Sequence, residues 1–371
     1  MAEPLKNQFG AEIPRKIGRM IAQVSADFDQ QAFVDDALNG YEALDLMARG
    51  RKIARTLHTY LPDDYPTAIK ILLASAGPKL DGSEAPGMAP FLYLPHVYYV
   101  ADYGLAHFEA SMTAQYELTQ RFTAEFSIRP FLERYPEACL ARLRAWACDP
   151  NEHVRRLVSE GTRPRLPWAS RLREFQKDPS PVLALLELLK DDSSLYVRRS
   201  VANNLNDIGK DHPNLLAETT RRWLIKASDE RRWLIRHALR SAVKRAEPGA
   251  LAVMGFGENA KVSVTNASIT PRQAVMGDKL TIVFDITHTG TKKQPILVDF
   301  RIHFIKSNGK TSPKVFKLKT VTLAPQETAT LRKTVSLAAM STRKHYPGTH
   351  RVDVVINGVA QALGAFELAP E

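Results

Sequence analysis

Apolar residues recur at three- and four-residue spacing through the first two thirds of the chain, as in Ala43, Leu44, Met47, Ile53, Leu57 and Leu61. That period predicts amphipathic helices over residues 1–250. Proline and glycine punctuate the helices, and Pro136, Pro179 and Pro213 each precede the first helix of an expected pair. A pattern then recurs: Asp149-Pro150 leads into Val154-Arg155-Arg156, and Asp191-Asp192 leads into Val197-Arg198-Arg199. From Val154 to Val197 is 43 residues, and from Arg199 to Arg236 is 37. Two-helix units at such a period predict an α-solenoid of HEAT-like pairs. In the middle copy Val197, Val201, Leu205 and Ile208 make the expected buried stripe, and Arg199, Asn203 and Asn206 the exposed one. In the third copy Ile235, Leu239 and Ala242 face inward, while Arg232, Arg236, Arg240 and Lys244 follow one another at i+4.

The period changes to two after a Gly- and Pro-rich segment running from Glu247-Pro248-Gly249 to Gly255-Phe256-Gly257. Seven strands are predicted, over Lys261–Ile269, Lys279–Thr287, Ile296–Ile305, Lys314–Leu323, Thr328–Leu337, His350–Ile356 and Gln361–Leu368. Seven short strands in such a stretch match an immunoglobulin-like β-sandwich. The chain therefore divides into a helical domain over 1–250, a linker over 251–260 and a sandwich over 261–371.

Charge sharpens this picture. Of the net +11, residues 1–136 carry −4, residues 137–245 carry +8, residues 246–258 carry −2 and residues 259–371 carry +9. Positive charge concentrated in the repeats and the sandwich suits a nucleic-acid backbone, although a solvated basic surface would look the same. Paired arginines near helix starts oppose the helix dipole, so they suggest either a ladder between repeats or a polyanion partner. The cations of the sandwich fall in turns: Lys292-Lys293, Lys306 to Lys310, and Arg343-Lys344-His345. Such loops could grip phosphates or keep edge strands soluble. Only Cys139 and Cys148 occur, the N-terminus has no signal-peptide pattern, and apolar runs fall short of a membrane span. A monomer in a reducing cytoplasm is expected.

Common catalytic signals are absent. There is no phosphate-binding Gly-Lys loop, no paired-histidine metal motif and no cofactor fingerprint, so neither metal nor cofactor is expected. Two segments stand out. Met112 to Tyr135 reads as one helix holding Phe122, Glu125, Phe126, Arg129 and Phe131. Glu125 and Arg129 sit at i,i+4, as a surface ion pair or as part of a site. Ser159 to Trp168 is a proline-stiffened loop with Arg163 and Arg165, whose Trp168 could stack on a base or sugar or anchor the loop to the core.

With these residues the chain resembles the AlkC/AlkD alkylpurine DNA glycosylases. The likeness is carried by Phe122-Thr123-Ala124-Glu125-Phe126-Ser127-Ile128-Arg129-Pro130-Phe131, by Ser159–Trp168 and by the run from Tyr196 to Asp207. The added sandwich looks like the AlkC branch. The resemblance implies a monofunctional glycosylase acting on double-stranded DNA, without cofactor. It would hydrolyse the N-glycosidic bond of cationic alkylated bases, N3-methyladenine and N3-methylcytosine, and leave an abasic site without fully flipping the base. It implies Glu125 and Trp168 as catalytic residues, supported by Arg129, Phe122 and Phe126. Arg155, Arg156, Arg163, Arg165, Arg198, Arg199, Asn203, Asn204, Arg232, Arg236, Arg240, Lys292, Lys293 and Lys310 would hold DNA. A non-catalytic repeat scaffold binding DNA or RNA is the alternative.

Overall fold

A computed structural model describes residues 5–82, 87–257, 259–338 and 344–370. Among them fifteen α-helices precede eight strands. The helices are α1 (Glu12–Ala22), α2 (Gln30–Leu38), α3 (Leu46–Tyr60), α4 (Tyr65–Ala74), α5 (Leu94–Tyr103), α6 (Phe108–Thr119), α7 (Ile128–Arg134), α8 (Pro136–Trp146), α9 (Glu152–Gly161), α10 (Arg173–Lys177), α11 (Ser180–Leu189), α12 (Leu195–Ile208), α13 (Pro213–Leu224), α14 (Asp229–Lys244) and α15 (Pro248–Val253). Pairwise packing of α8 with α9 and of α11 with α12, and of the first pair on the second, builds the repeat stack.

The repeats pack as their patterns require. Val154, Leu157 and Val158 of α9 and Val197, Val201, Leu205 and Ile208 of α12 are buried. Each fully buried side chain of this size contributes about 1.5–3 kcal/mol. The third stripe, Ile235, Leu239 and Ala242, is likewise buried. Asn206, expected on the exposed stripe, is instead buried.

Both repeat turns are closed by their own acids. Asp149 accepts from the Asn151 N–H at 2.8 Å, and Asp192 from the Ser194 N–H at 2.8 Å. Asn151 then caps α9 by accepting from the His153 N–H at 2.8 Å.

The chain divides into two compact units: Met1–Asp211 with Ala227–Ala238, and His212–Lys226 with Leu239–Glu371. The division passes inside α14, earlier than the boundary expected at 250. The segment read as linker begins with helix α15, whose Ala250 and Leu251 are buried. In the second unit α13 packs against α15.

The strands are β1 (Val262–Thr270), β2 (Gln273–Ala274), β3 (Lys279–His288), β4 (Gln294–Ile305), β5 (Thr311–Leu323), β6 (Thr328–Ser336), β7 (Gly348–Ile356) and β8 (Val359–Leu368). One sheet has the order β1-β3-β6 and the other β2-β8-β7-β4-β5. Seven strands match the expected set. The eighth, β2, is two residues long, too short to show a period, and pairs parallel with β8. Leu280, Ile282, Phe284 and Ile286 of β3 share a core with Ile296, Val298, Phe300, Ile302 and Phe304 of β4. This apolar alternation holds the sandwich without a disulfide. Lys292, Lys293 and Lys310 are exposed in turns, while Arg343 lies outside the described residues.

Candidate active site

The stretch expected as one helix is broken. α6 ends at Thr119 and α7 begins at Ile128, so Phe122, Glu125 and Phe126 stand in the turn between them. Thr123 explains the break. Its hydroxyl accepts from the Glu125 N–H at 3.2 Å, giving that backbone group a partner outside any helix. Ser127 adds a bond from its hydroxyl to the Ala124 carbonyl at 3.2 Å.

The break also changes Glu125's partner. Its Oε2 meets Nη1 of Arg156 at 2.6 Å and accepts from the Thr123 hydroxyl at 2.9 Å. Among the described residues Oε1 has no such bond. The Glu125 side chain is 12% exposed. Arg156 spreads its charge further, reaching Glu160 at 3.6 Å and lying over the Tyr196 ring at 5.2 Å. Burial alone would lower the Arg156 pKa, but the Glu125 and Glu160 carboxylates outweigh it and raise it above the usual value. Burial would raise the Glu160 carboxyl, and Arg156 and Arg163 hold it below its ordinary value.

A relay of alternating charge follows. Arg163 binds Glu160 at 2.6 Å and Asp207 at 2.8 Å, and Lys210 binds Asp207 at 2.7 Å. Ser200 donates to Glu160 at 2.6 Å.

Arg129, expected beside Glu125, instead staples the loop between α9 and α10. Its guanidinium donates to the carbonyls of Arg163 at 2.9 Å, Gly161 at 3.2 Å and Ser170 at 3.0 Å. It is 1% exposed, and burial pushes its pKa down to about 10. Arg165 fastens the same loop to Asp211 through two bonds, at 2.8 and 2.5 Å. On this fixed loop Trp168 is 66% exposed and has φ 63°. Its exposure overturns the reading as a core anchor. A bulky side chain in left-handed backbone costs roughly 1–2 kcal/mol, and the staples on either side hold it there.

Glu125, Arg156 and Trp168 meet at one cleft of about 230 Å³. Phe91, Phe122, Phe126, His153 and Tyr196 also line it. The Phe91 and Phe122 rings pack 4.9 Å apart, and His153 stands edge-on to Tyr196 at 5.6 Å. Burial lowers the His153 pKa, favouring the neutral imidazole. The cleft is thus an aromatic wall around one carboxylate. The sequence reading missed His153, Tyr196 and Phe91 as lining residues and Glu160 as a partner. The spacing His153, Arg156, Glu160 along one helix face was the available signal.

Several expected DNA contacts face inward instead. Arg155 is bound to Asp192 through two bonds, at 2.7 and 2.9 Å, and to the carbonyls of Asp149 and Pro150. Arg198 repeats the hook, donating to the carbonyls of Asp192 and Ser193 at 2.6 and 2.8 Å. The first arginine of each pair therefore ties down its own turn, and Arg155 also forms a ladder to the next repeat, which explains a cation at a helix start. Arg163 and Arg165 are taken up by Asp207 and Asp211. Asn204 is buried, donating to the Ser159 carbonyl at 2.8 Å. Asn203 meets His237 at 3.2 Å. Arg199, Arg232 and Arg236 are exposed, and Arg240 is half-buried. Among the described residues no group of three His, Cys, Asp or Glu side chains is placed to hold a metal ion. No helix among them is long and apolar enough to cross a membrane.

This architecture matches known proteins in both parts. Residues 120–245 match the family model described as DNA alkylation repair enzyme. Residues 263–370 match that of the C-terminal Ig-like domain of the uncharacterised protein YhaZ. YhaZ of Bacillus subtilis (strain 168) is 37% identical over 355 residues, covering 95% of this chain and 96% of that protein. The chain belongs to the family of DNA alkylation repair enzymes, in the group that carries an Ig-like C-terminal domain. Within it the structure is similar along its length to the Pseudomonas fluorescens alkylpurine DNA glycosylase AlkC bound to DNA containing an abasic site analogue. The TM-score is 0.91 at 40% identity, over 99% of this chain and all of that one.

Proposed function

We infer that the protein is a DNA glycosylase that removes cationic alkylated bases, with N3-methyladenine and N3-methylcytosine as substrates, and leaves an abasic site. The observation that carries this reading is the cleft itself. One carboxylate keeps an oxygen unspent there, facing aromatic rings and a tryptophan held at the surface. The AlkC likeness, in a complex with abasic-site DNA, supports DNA as the partner.

The chemistry follows from the groups present. A methylated base already carries positive charge, so it leaves neutral with the bond's electron pair and needs no protonation. Charge then develops on the sugar, where a carboxylate stabilises it and can take the proton of the attacking water. Arg156 would cancel Glu125 if it paired with that residue alone. Here the guanidinium is shared with Glu160 at 3.6 Å, so Glu125 is less than fully neutralised. Trp168 offers a π-face to the same cationic centre.

Glu125→Gln should slow single-turnover base release from methylated DNA at least about tenfold, or about 1.4 kcal/mol of barrier. Binding to an abasic-analogue duplex should persist. An unchanged rate removes Glu125 from the chemistry, and wild-type protein that binds DNA without releasing base restores the scaffold alternative.

A further inference from the structure

Trp168 is not confined to the Glu125 cleft. It also lines a second cleft of about 400 Å³ with Leu5, Lys6, Asp45, Leu46 and Met47. Leu5 is, like Trp168, an exposed large apolar residue. Contiguous exposed apolar surface is what a binding groove presents, and these two residues line one cleft.

The cleft is built as firmly as the first. Arg49 is buried and donates to the carbonyls of Lys6 at 2.8 Å, Phe9 at 2.9 Å and Leu44 at 3.0 Å. That ties the short helical turn Leu5–Gln8 to the start of α3. Tyr98 donates to the Met47 sulfur at 3.2 Å, and its ring lies 6.4 Å from Phe126 of the first cleft. Asp45 occupies the N-cap of α3, yet its side chain makes no capping bond. Its exposed carboxylate is left as an acceptor in the lining, which Lys6 also shares.

We propose that this second cleft is a nucleobase subsite. It takes an unstacked base next to the one being excised, and Trp168 stands between the two as a shared platform. Apolar Leu5, Leu46 and Met47 cover the base, and Lys6 meets a phosphate. Asp45 accepts from an exocyclic amino group, so adenine, cytosine and guanine are favoured over thymine. The proposal rests on the glycosylase reading, because it needs DNA unstacked at Trp168.

The test is affinity for abasic-analogue duplexes in which the bases flanking and opposite the analogue are varied in turn. Wild type should favour an amino-bearing base at one of these positions by about fivefold, the worth of one hydrogen bond. Asp45→Asn should abolish that preference without changing the fold. Leu46→Trp, which fills the cleft, should weaken binding about tenfold, the worth of one stacked base. Single-turnover release at saturating protein should remain at the wild-type rate in both variants. Equal wild-type affinity for all four bases overturns the subsite, as does wild-type behaviour of both variants. Failure of wild type to release any base strikes the glycosylase reading instead, and base preference lost in Asp45→Asn would still uphold the subsite.

Discussion

At the scale of single residues, Glu160 has the largest influence for its distance from the cleft. It is buried between two arginines and never lines the cavity. Replacing it by Gln leaves Arg156 and Arg163 short of a carboxylate. Breaking a buried pair of this kind costs about 3–5 kcal/mol. Glu160→Gln should therefore lower stability in denaturant by that order. It should also slow base release, because Arg156 would then neutralise Glu125 more fully. Chemical denaturation and single-turnover rates check both. The pH dependence has a definite sign. The folded Glu160 carboxyl lies below its ordinary value, about 4.3 in an unfolded chain. Its contribution is fully present above that pH and is lost as pH falls through the lower folded value. The acid limb of the stability curve should flatten in the variant.

At the scale of elements, the loop between α9 and α10 depends on Arg129. Arg129→Met keeps the length and removes every donor to the carbonyls of Gly161, Arg163 and Ser170. Leaving such groups unsatisfied costs about 1–3 kcal/mol each where they stay dry. The expected outcome is a loosened Trp168 and slower base release at nearly unchanged affinity, read by indole fluorescence anisotropy alongside turnover. This element also marks where sequence reasoning stopped. The helices and strands were legible because their apolar periods run for several turns or residue pairs. The Glu125 turn was not, because Phe122 and Phe126 fit a helical period while the Thr123 hydroxyl takes the backbone elsewhere. Glu125 and Trp168 were singled out as catalytic candidates by resemblance. The change of Glu125's partner from Arg129 to Arg156 was hidden, because it is made between repeats and not along one.

At the scale of the whole molecule, the excess positive charge separates into two populations. Arg155, Arg163, Arg165 and Arg198 are bound to acids or carbonyls within the repeats, whereas Arg199, Arg232 and Arg236 are exposed. Alanine at each exposed position should reduce the slope of log affinity against log salt by about 0.9 for every phosphate that the arginine had neutralised. Alanine at Arg155 should leave that slope alone and lower the melting temperature. Filter binding across a salt series, with thermal melts, distinguishes the two. The relay from Glu125 through Arg156, Glu160, Arg163 and Asp207 has a consequence for how the stack assembles. Stacked units of similar shape can dock out of step during folding, since each buries much the same apolar face. A slipped stack here would set Glu160 against Glu125 or Asp207, carboxylate against carboxylate in a dry interior. It would also part Arg156 from Glu125 at the cleft. The ion pairs thus act as a key for register, and the alignment that satisfies them is the one that assembles the proposed site.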